Sequence, residues 1–406
     1  MAMSRSIRRR RSPNTGMPGW RLAACLLLAG CASTGDGPPA AAPVVSHRVG
    51  QARPPAGPTP ADPQARLRRL TEALLPPGLS QDRAGWATDI VAAFEALRLP
   101  ASTPSLCAAI AIIDQESGFQ ADPVVPGLSA IVWREIEIRR QRYLVPKRVV
   151  DAALSLSSSS GKSWRQRIDA LRTERELSLL YRELIDALPA GNRLLSGHDP
   201  VRTAGPMQVS VAYAERHAAT QPPPPLPGNS VREAVFSRRG GLYFGIAHLL
   251  DYPAPYQDML YRYADFNAGH YASRNAAFQQ ALVKLGAGPL QLDGDLLAYR
   301  SGVHTGATRS ALLRLSPRLQ LSPEAIQTDL EQEKEAAFAS TALYRRVFAL
   351  ADHKLGKPLP RAILPDIPLV SPKIRSRITT AWFAGRVNMR YGSCMQRDPG
   401  AQPDAQ

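Results

Sequence analysis

Apolar residues recur at three- and four-residue spacing over most of the chain from about residue 64 onward. The segments ARLRRLTEALLP, WATDIVAAFEALRL and SLCAAIAIIDQES show this spacing most clearly, and it is the spacing of a helix with a buried face. Strand-like alternation is scarce, so the pattern predicts a mainly α fold. Ser105, which follows Pro104, is the predicted N-cap of the third segment. Further helices are predicted near 131–145, 164–188, 209–219, 241–250, 257–267, 273–285, 322–354 and 373–391.

The first 63 residues follow a different pattern. Residues 21–31 read RLAACLLLAGC, which is a charge, a short apolar stretch and small residues before a cysteine. The stretch is too short to span a bilayer, and its order is that of a secretory signal. Residues 1–16 are rich in arginine, so Met17 is an alternative start. Residues 32–63 are rich in Pro, Ala and Gly without an apolar period, which predicts a flexible tether.

The sequence Leu-Ala-Gly-Cys at 28–31 resembles the lipobox of bacterial lipoproteins. The resemblance implies an acylated Cys31 at the mature N-terminus, and several acyl chains on one cysteine anchor a protein firmly. Ala32, in place of an acid, resembles an address for the periplasmic face of the outer membrane. An ordinary cleaved signal peptide and an inner-membrane location are the alternatives.

Charge and composition narrow the class of partner. The chain has 406 residues, of which 44% are hydrophobic, enough for one large domain or two ordinary ones. The formal net charge is +16. Six arginines and no acid precede Cys31, so the rest of the chain carries +10. Such basicity suits an anionic surface or polymer, including the carboxylate-rich cell wall. No aromatic-and-basic recognition signature is present, so nucleic acid is not a predicted partner.

The number and spacing of the cysteines and histidines limit which disulfides and metal sites the chain can form. Cys25 leaves with the signal and Cys31 is acylated, which leaves Cys107 and Cys394. In an oxidising compartment these two form either a disulfide or two separately buried thiols. The seven histidines show no two-His zinc spacing, and the chain has neither a phosphate loop nor a nucleophile elbow. No metal and no cofactor is therefore predicted.

Three short segments carry the candidate chemistry: ESGF at 116–119, GPMQVS at 205–210 and ADFNAG at 264–269. The last is preceded by GIAHLL at 245–250. Their order resembles that of the soluble lytic transglycosylases of the lysozyme-like superfamily: Glu-Ser-x-Phe, Gly-x-Met-Gln, Gly-Ile-x-x-Leu-Leu, then Ala-Tyr-Asn-Ala-Gly. This resemblance is confined to the motif segments. The whole chain also resembles a proteobacterial lipoprotein family of undefined function.

The resemblance implies a lysozyme-like kernel built from about 81–119 and 201–285. The family passes from its Glu to Gly-x-Met-Gln within a few tens of residues, whereas 92 positions separate Glu116 from Gln208. Residues 124–204 are therefore predicted to be a long helical insertion, which walls the cleft, recruits a protein or presents solvated charged faces. The predicted domains are a signal peptide with a lipobox at 1–31, a tether at 32–63, a catalytic domain at 64–288, a C-terminal helical extension at 289–397 and a disordered tail at 398–406.

Glu116 is the candidate catalytic residue because of where it stands. It ends an apolar helix, and both the negative pole of the helix and partial burial disfavour a carboxylate, so we expect a raised pKa. A carboxylic acid that stays protonated near neutrality can protonate a leaving glycosidic oxygen. The resemblance implies that Glu116 then acts as a base, so that the sugar's own 6-hydroxyl attacks and leaves a 1,6-anhydro muramyl end. The alternative is a solvated Glu at a helix end.

The other candidate residues rest on the resemblance. It implies that GPMQ forms the floor of a sugar cleft, and that Asn267 either binds sugar amides or caps a helix. Pro206 stands where Leu is usual in the family, and Phe266 stands where a Tyr hydrogen-bonds the catalytic Glu. Phe has no hydroxyl, so Glu116 loses that orienting contact. The predicted substrate-binding residues are Ser117, Met207, Gln208, Phe266 and Asn267.

Two further functions remain open at the level of sequence. Asp265 offers a second acid, and two carboxyls about 6.5–9.5 Å apart across a cleft would make an inverting hydrolase. Otherwise Asp265 points elsewhere or pairs with an Arg. The departures at Pro206 and Phe266 motivate a non-catalytic peptidoglycan-binding or scaffold lipoprotein. In each case the predicted partners are peptidoglycan glycan strands and, through Cys31, a membrane.

Overall fold

The computed structural model describes residues 62–187, 199–300, 303–369 and 378–400. The predicted signal peptide, the lipobox with Cys31, nearly all of the tether and the end of the tail lie outside the described residues. Within them the protein is mainly α-helical, which confirms the mainly α character predicted from the apolar spacing. None of the helices in the described ranges has the length and apolar character needed to cross a membrane.

The elements of the described chain are helices joined by short connections and two small antiparallel hairpins. The hairpins pair β1 (Thr203–Ala204) with β2 (Val209–Ser210), and β3 (Ala298–Arg300) with β4 (Val303–Thr305). A 3-10 helix spans Ala336–Ser340. The α-helices are α1 Pro63–Leu74, α2 Arg83–Ala96, α3 Thr103–Glu116, α4 Leu128–Arg142, α5 Lys147–Ser155, α6 Trp164–Asp169, α7 Glu174–Asp186, α8 Val211–Thr220, α9 Val231–Val235, α10 Arg238–Leu250, α11 Met259–Ala268, α12 Ala272–Leu285, α13 Ala307–Leu319, α14 Pro323–Leu330, α15 Ala342–Leu355 and α16 Thr380–Met395.

Local capping residues correct three of the predictions. The single helix predicted at 164–188 is α6 and α7, because Thr173 accepts a hydrogen bond from the Glu176 amide and starts a new helix. The single helix predicted at 322–354 is likewise interrupted, and Thr341 caps α15. The N-cap of α3 is Ser102. The predicted cap, Ser105, is instead its partner in a capping box.

The largest core surrounds α3. Eight consecutive residues of this helix, 106–113, are buried, so α3 is apolar on every side, as a central helix must be. Helices α1, α10 and α16 contact it. A disulfide joins Cys107 of α3 to Cys394 of α16 across 287 positions of sequence, with the two Cα atoms 5.5 Å apart. The C-terminal helix is thus fastened to the helix that ends at Glu116.

A second core lies along α12 and the helices that follow it. Phe278 and Leu282 of α12 pack with Leu312, Ile326 and Val347 of α13, α14 and α15. The C-terminal part therefore divides: α13 to α15 build this second core, whereas α16 packs in the first.

The described part of the predicted insertion, residues 124–187 and 199–204, contains helices α4 to α7 and strand β1. A small core of their own contains Leu128, Leu154 and Trp164. Polar contacts connect this segment to its neighbours: Arg182 pairs with Glu233 of α9 at 2.9 Å. This segment consequently has an apolar centre of its own, and Leu177 of α7 also packs against the largest core.

Candidate active site

One cleft of about 1140 Å³ collects residues from distant parts of the chain. Its lining includes Glu116 at the end of α3, Gln208 of the first hairpin, and Phe266 and Asn267 of α11. His248 of α10 lies in the same lining. The three motifs that the sequence analysis singled out therefore meet at one surface.

Glu116 is the last residue of α3 and is half-buried in the cleft lining. The chain turns sharply after it, because Gly118 and Phe119 both adopt positive φ, at 57° and 63°. Phe119 is held by the indole of Trp86, edge to face, with ring centroids 5.2 Å apart. A residue other than Gly at positive φ is uncommon and is fixed by its surroundings. The packing of Phe119 thus fixes the chain directly after the helix end that bears Glu116.

The other acid at the helix end has a different place. Asp114 forms an ion pair with the Arg390 guanidinium of α16, with Oδ2 2.9 Å from Nε, and it does not line the cleft. The two acids of the sequence DQES therefore serve two surfaces. Asp114 joins α3 to the C-terminal helix, and Glu116 is presented to the cleft.

The loop of the first hairpin is Gly205-Pro206-Met207-Gln208. Gly205 has φ +75°, and a Cβ there would collide with the backbone carbonyl of Val235, so only Gly fits. Gln208, also at positive φ, donates from its amide N–H to the Gly205 carbonyl at 3.0 Å. Its side chain accepts from the Thr203 hydroxyl at 3.2 Å. Gln208 reaches the cleft while its side chain is fixed by its own hairpin.

The structure does not place Ser117 and Met207, two of the predicted substrate-binding residues, in the lining of the cleft. The Ser117 hydroxyl donates back to the Ile113 carbonyl at 3.0 Å and closes the last turn of α3. Met207 is fully buried and packs on Gly245 of α10, where a Cβ would lie 2.5 Å from the Met207 sulfur. Both residues pack behind the lining and are not part of it. Gly245, the first residue of GIAHLL, is needed because Met207 packs so closely on it.

Phe266 and Asn267 stand at the end of α11 and both line the cleft. Phe266 is 9% exposed, and its backbone carbonyl accepts from His248 Nε2 at 3.1 Å. Asn267 Oδ1 accepts from the Thr380 hydroxyl at 3.0 Å. Asn267 is therefore attached to the first residue of α16 and does not cap a helix.

Asp265 does not face the cleft, so it is not the second carboxylate of an inverting hydrolase. Its side chain is fully buried. One oxygen accepts from the Ser273 amide at 2.8 Å. The other accepts from the Tyr252 hydroxyl at 3.1 Å and the Tyr271 amide at 2.9 Å. Burial raises the pKa of Asp265 to about 6. The carboxyl fastens the turn between α11 and α12, and its partners are not arginines.

An imidazole and phenol cluster is the part of the cleft that sequence reasoning missed. The rings of His248 and His270 stack with centroids 4.6 Å apart, and Tyr252 stacks on His270 at 4.0 Å. His270 Nε2 donates to the His248 carbonyl at 2.7 Å. The only signal in the sequence was that His248 falls inside GIAHLL and that His270 directly follows Asn-Ala-Gly.

These histidines are neutral groups. Burial lowers the pKa of His248 to about 3, and burial also lowers the pKa of His270. Because a carbonyl only accepts, the neutral His248 ring carries its proton on Nε2. The cluster therefore offers hydrogen bonds and ring faces, while the general acid has to come from elsewhere. In the described ranges no group of His, Cys, Asp and Glu has the arrangement of a metal site.

Comparison with known proteins places the chain in a family. Residues 79–397 match the family described as protein of unknown function (DUF1615). The chain belongs to this family. It is 48% identical over 321 residues to "Uncharacterized protein YaiW" of Escherichia coli (strain K12), which covers 79% of this chain and 87% of that protein. No solved structure matches the chain. The predicted membership of a proteobacterial family of undefined function is confirmed.

Proposed function

We propose that this protein is a membrane-anchored peptidoglycan lytic transglycosylase with a lysozyme-like kernel. Glu116 protonates the leaving oxygen of the bond between MurNAc and GlcNAc and then accepts the proton of the sugar's 6-hydroxyl. The attack of that hydroxyl leaves a 1,6-anhydro muramyl end, so neither water nor a second carboxylate enters the reaction. The acylated Cys31 would hold the protein on the periplasmic face of the outer membrane.

The observation that carries the proposal is the shared cleft of Glu116, Gln208, Phe266 and Asn267. They come from three segments that are far apart in sequence, in the order of the transglycosylase motifs. A half-buried carboxyl at a helix end is suited to proton transfer. Asp265, the second acid in the motif segments, is buried outside the cleft, and the proposed mechanism needs only the carboxyl of Glu116.

A specific observation favours a second function, a non-catalytic glycan-binding lipoprotein. Phe266 provides a ring but no hydroxyl at the position from which, by the resemblance, a Tyr would orient Glu116. Gln208 is also hydrogen-bonded within its own hairpin. A cleft with these features could hold a glycan strand without cleaving it.

Digestion of purified peptidoglycan sacculi separates these functions. The wild-type protein should release muropeptides whose mass corresponds to anhydro ends, and Glu116→Gln should lower the rate at least about 100-fold. Asp114→Asn is the matched control, because it removes the neighbouring acid that pairs with Arg390 outside the cleft, and it should keep the activity.

Each result has one meaning. Products with reducing muramyl ends would replace the transglycosylase by a hydrolase. Sedimentation of the protein with sacculi, without any released product from pH 5 to 8, would favour the binding function. Equal activity of wild type and Glu116→Gln would overturn the role of Glu116.

A further inference from the structure

The turn between α4 and α5 exposes apolar side chains that the fold does not use. Tyr143 is 68% exposed and Leu144 is 88% exposed. Ile138 and Val149, on either side of the turn, are 50% and 56% exposed. Single exposed apolar residues are ordinary, but a group of them on one short turn indicates an interaction surface.

The backbone of this turn is held by hydrogen bonds, so its apolar side chains are exposed on an ordered turn. The Val145 amide donates to the Arg140 carbonyl at 2.9 Å, and the Leu144 amide donates to the Gln141 carbonyl at 3.1 Å. This pair of bonds is a Schellman motif, in which Gly or Asn normally occupies the left-handed position. Leu144 occupies it here, with φ 54°. Folding alone would favour Gly at this position, so the Leu side chain has another use.

The charges around the turn are of one sign. Residues 138–149 read IRRQRYLVPKRV and contain five cations and no acid. Arg140 pairs with Glu137 and Lys147 pairs with Asp151. Within the part of the chain that the structure describes, Arg139, Arg142 and Arg148 have no acidic partner. The Arg142 guanidinium lies 5.8 Å from the centre of the Tyr143 ring, so cation and aromatic share one surface.

We propose that the α4–α5 turn, residues 138–149, docks on an anionic lipid surface. Leu144 and the Tyr143 ring enter the boundary between headgroups and acyl chains, where an aromatic ring with a polar tip is suited to lie. Arg139, Arg142 and Arg148 remain at the level of the lipid phosphates. The apolar residues form a projecting turn rather than a groove, which suits a fluid surface better than a shaped protein. Docking in this way is independent of glycan cleavage.

Vesicle flotation tests the proposal. The full chain carries Cys31→Ala throughout, so that no acyl chain contributes. Vesicles contain either phosphatidylcholine alone or equal parts of phosphatidylcholine and phosphatidylglycerol. The protein should float with the anionic vesicles and release from them as salt is raised.

Variants of the turn identify the surface. Leu144→Gly should bind about tenfold more weakly while unfolding at the same or a higher temperature, because Gly relieves the left-handed position. Arg142→Glu and Arg148→Glu should each weaken binding at least about fivefold. Met389→Ser is the matched control, since Met389 of α16 is 58% exposed but lies outside the turn, and it should bind like its parent.

Two outcomes would overturn docking on lipid. The first is equal vesicle binding by the parent, Leu144→Gly and Arg148→Glu. The second is a loss of sedimentation with purified sacculi in the turn variants while vesicle binding is absent or unchanged. That result would assign the turn to the anionic cell-wall polymer instead.

Discussion

The side-chain oxygen of Asn267 accepts a hydrogen bond of 3.0 Å from the hydroxyl of Thr380, although 113 positions separate the two residues. Thr380 is fully buried and is the first residue of α16. The bond ties the cleft end of α11 to the helix that is also fastened to α3 by the disulfide. Since the Asn267 oxygen is engaged, its amide NH2 group is what it can offer a sugar.

Replacing Thr380 by Val should therefore lower the free energy of unfolding by about 1 kcal/mol, the usual net worth of one hydrogen bond. Urea unfolding of Thr380→Val, Asn267→Ala and the double variant forms a mutant cycle. We expect the losses in the free energy of unfolding of the two single variants to sum to more than the loss in the double variant. Simple additivity would show that the bond does not contribute to stability.

Phe266→Tyr tests the most serious departure from the transglycosylase pattern. If Glu116 cleaves glycans, the added hydroxyl should restore an orienting hydrogen bond and raise the rate on sacculi by roughly tenfold. Phe266→Leu is the control, because it changes the ring without adding a donor and should not raise the rate. If Phe266→Tyr cleaves sacculi no faster than wild type, the missing hydroxyl at position 266 does not limit the activity.

Gly245→Ala should destabilise the protein by about 1–3 kcal/mol, as overpacking does. The new Cβ would lie 2.5–2.6 Å from the sulfur and Cβ of Met207, so the hairpin loop that bears Gln208 must shift. Gly385→Ala is the control: Gly385 is in helix α16, and nothing lies within 4 Å of its added Cβ. That variant should gain up to about 1 kcal/mol. Thermal unfolding measures both, and equal effects would contradict the tight packing at Gly245.

Asp265 should make the free energy of unfolding depend on pH, and the sign of that dependence follows from its raised pKa. Burial raises its pKa from 3.8 to about 6, so between those values the folded state binds more protons than the unfolded chain. The free energy of unfolding should then fall as pH rises from about 4 to 6, by up to about 3 kcal/mol from this group. Above that range the group adds no further slope.

Urea unfolding at pH 4, 5, 6 and 7 checks this, with Asp265→Asn as the comparison. The variant loses at least one of the three hydrogen bonds that the carboxylate accepts, so the slopes are compared rather than the absolute stabilities. The difference between wild type and variant should change between pH 4 and 6 and stay constant above. A constant difference over the whole range would mean that the Asp265 pKa is not raised.

Periodicity in the sequence determined the helical class and most helix positions, because burial of one face imposes a three-and-four spacing that can be read locally. It was less able to place helix ends. Thr173 and Thr341 start new helices inside what the apolar pattern presented as continuous ones, since a single side-chain hydrogen bond can outweigh the continuing apolar spacing. The order of the motifs also sufficed to select Glu116, Gln208, Phe266 and Asn267, which line one cleft.

Only the tertiary structure decided which polar side chains face that cleft. Asp265 and Glu116 are both acids beside apolar residues, yet one is buried under three hydrogen bonds while the other reaches the cleft. The difference arises from partners such as Tyr252 and Ser273, and from the Phe119–Trp86 contact directly after the end of α3. Local sequence fixes where a carboxyl stands along its own helix, but its surroundings are set by residues far away in the chain.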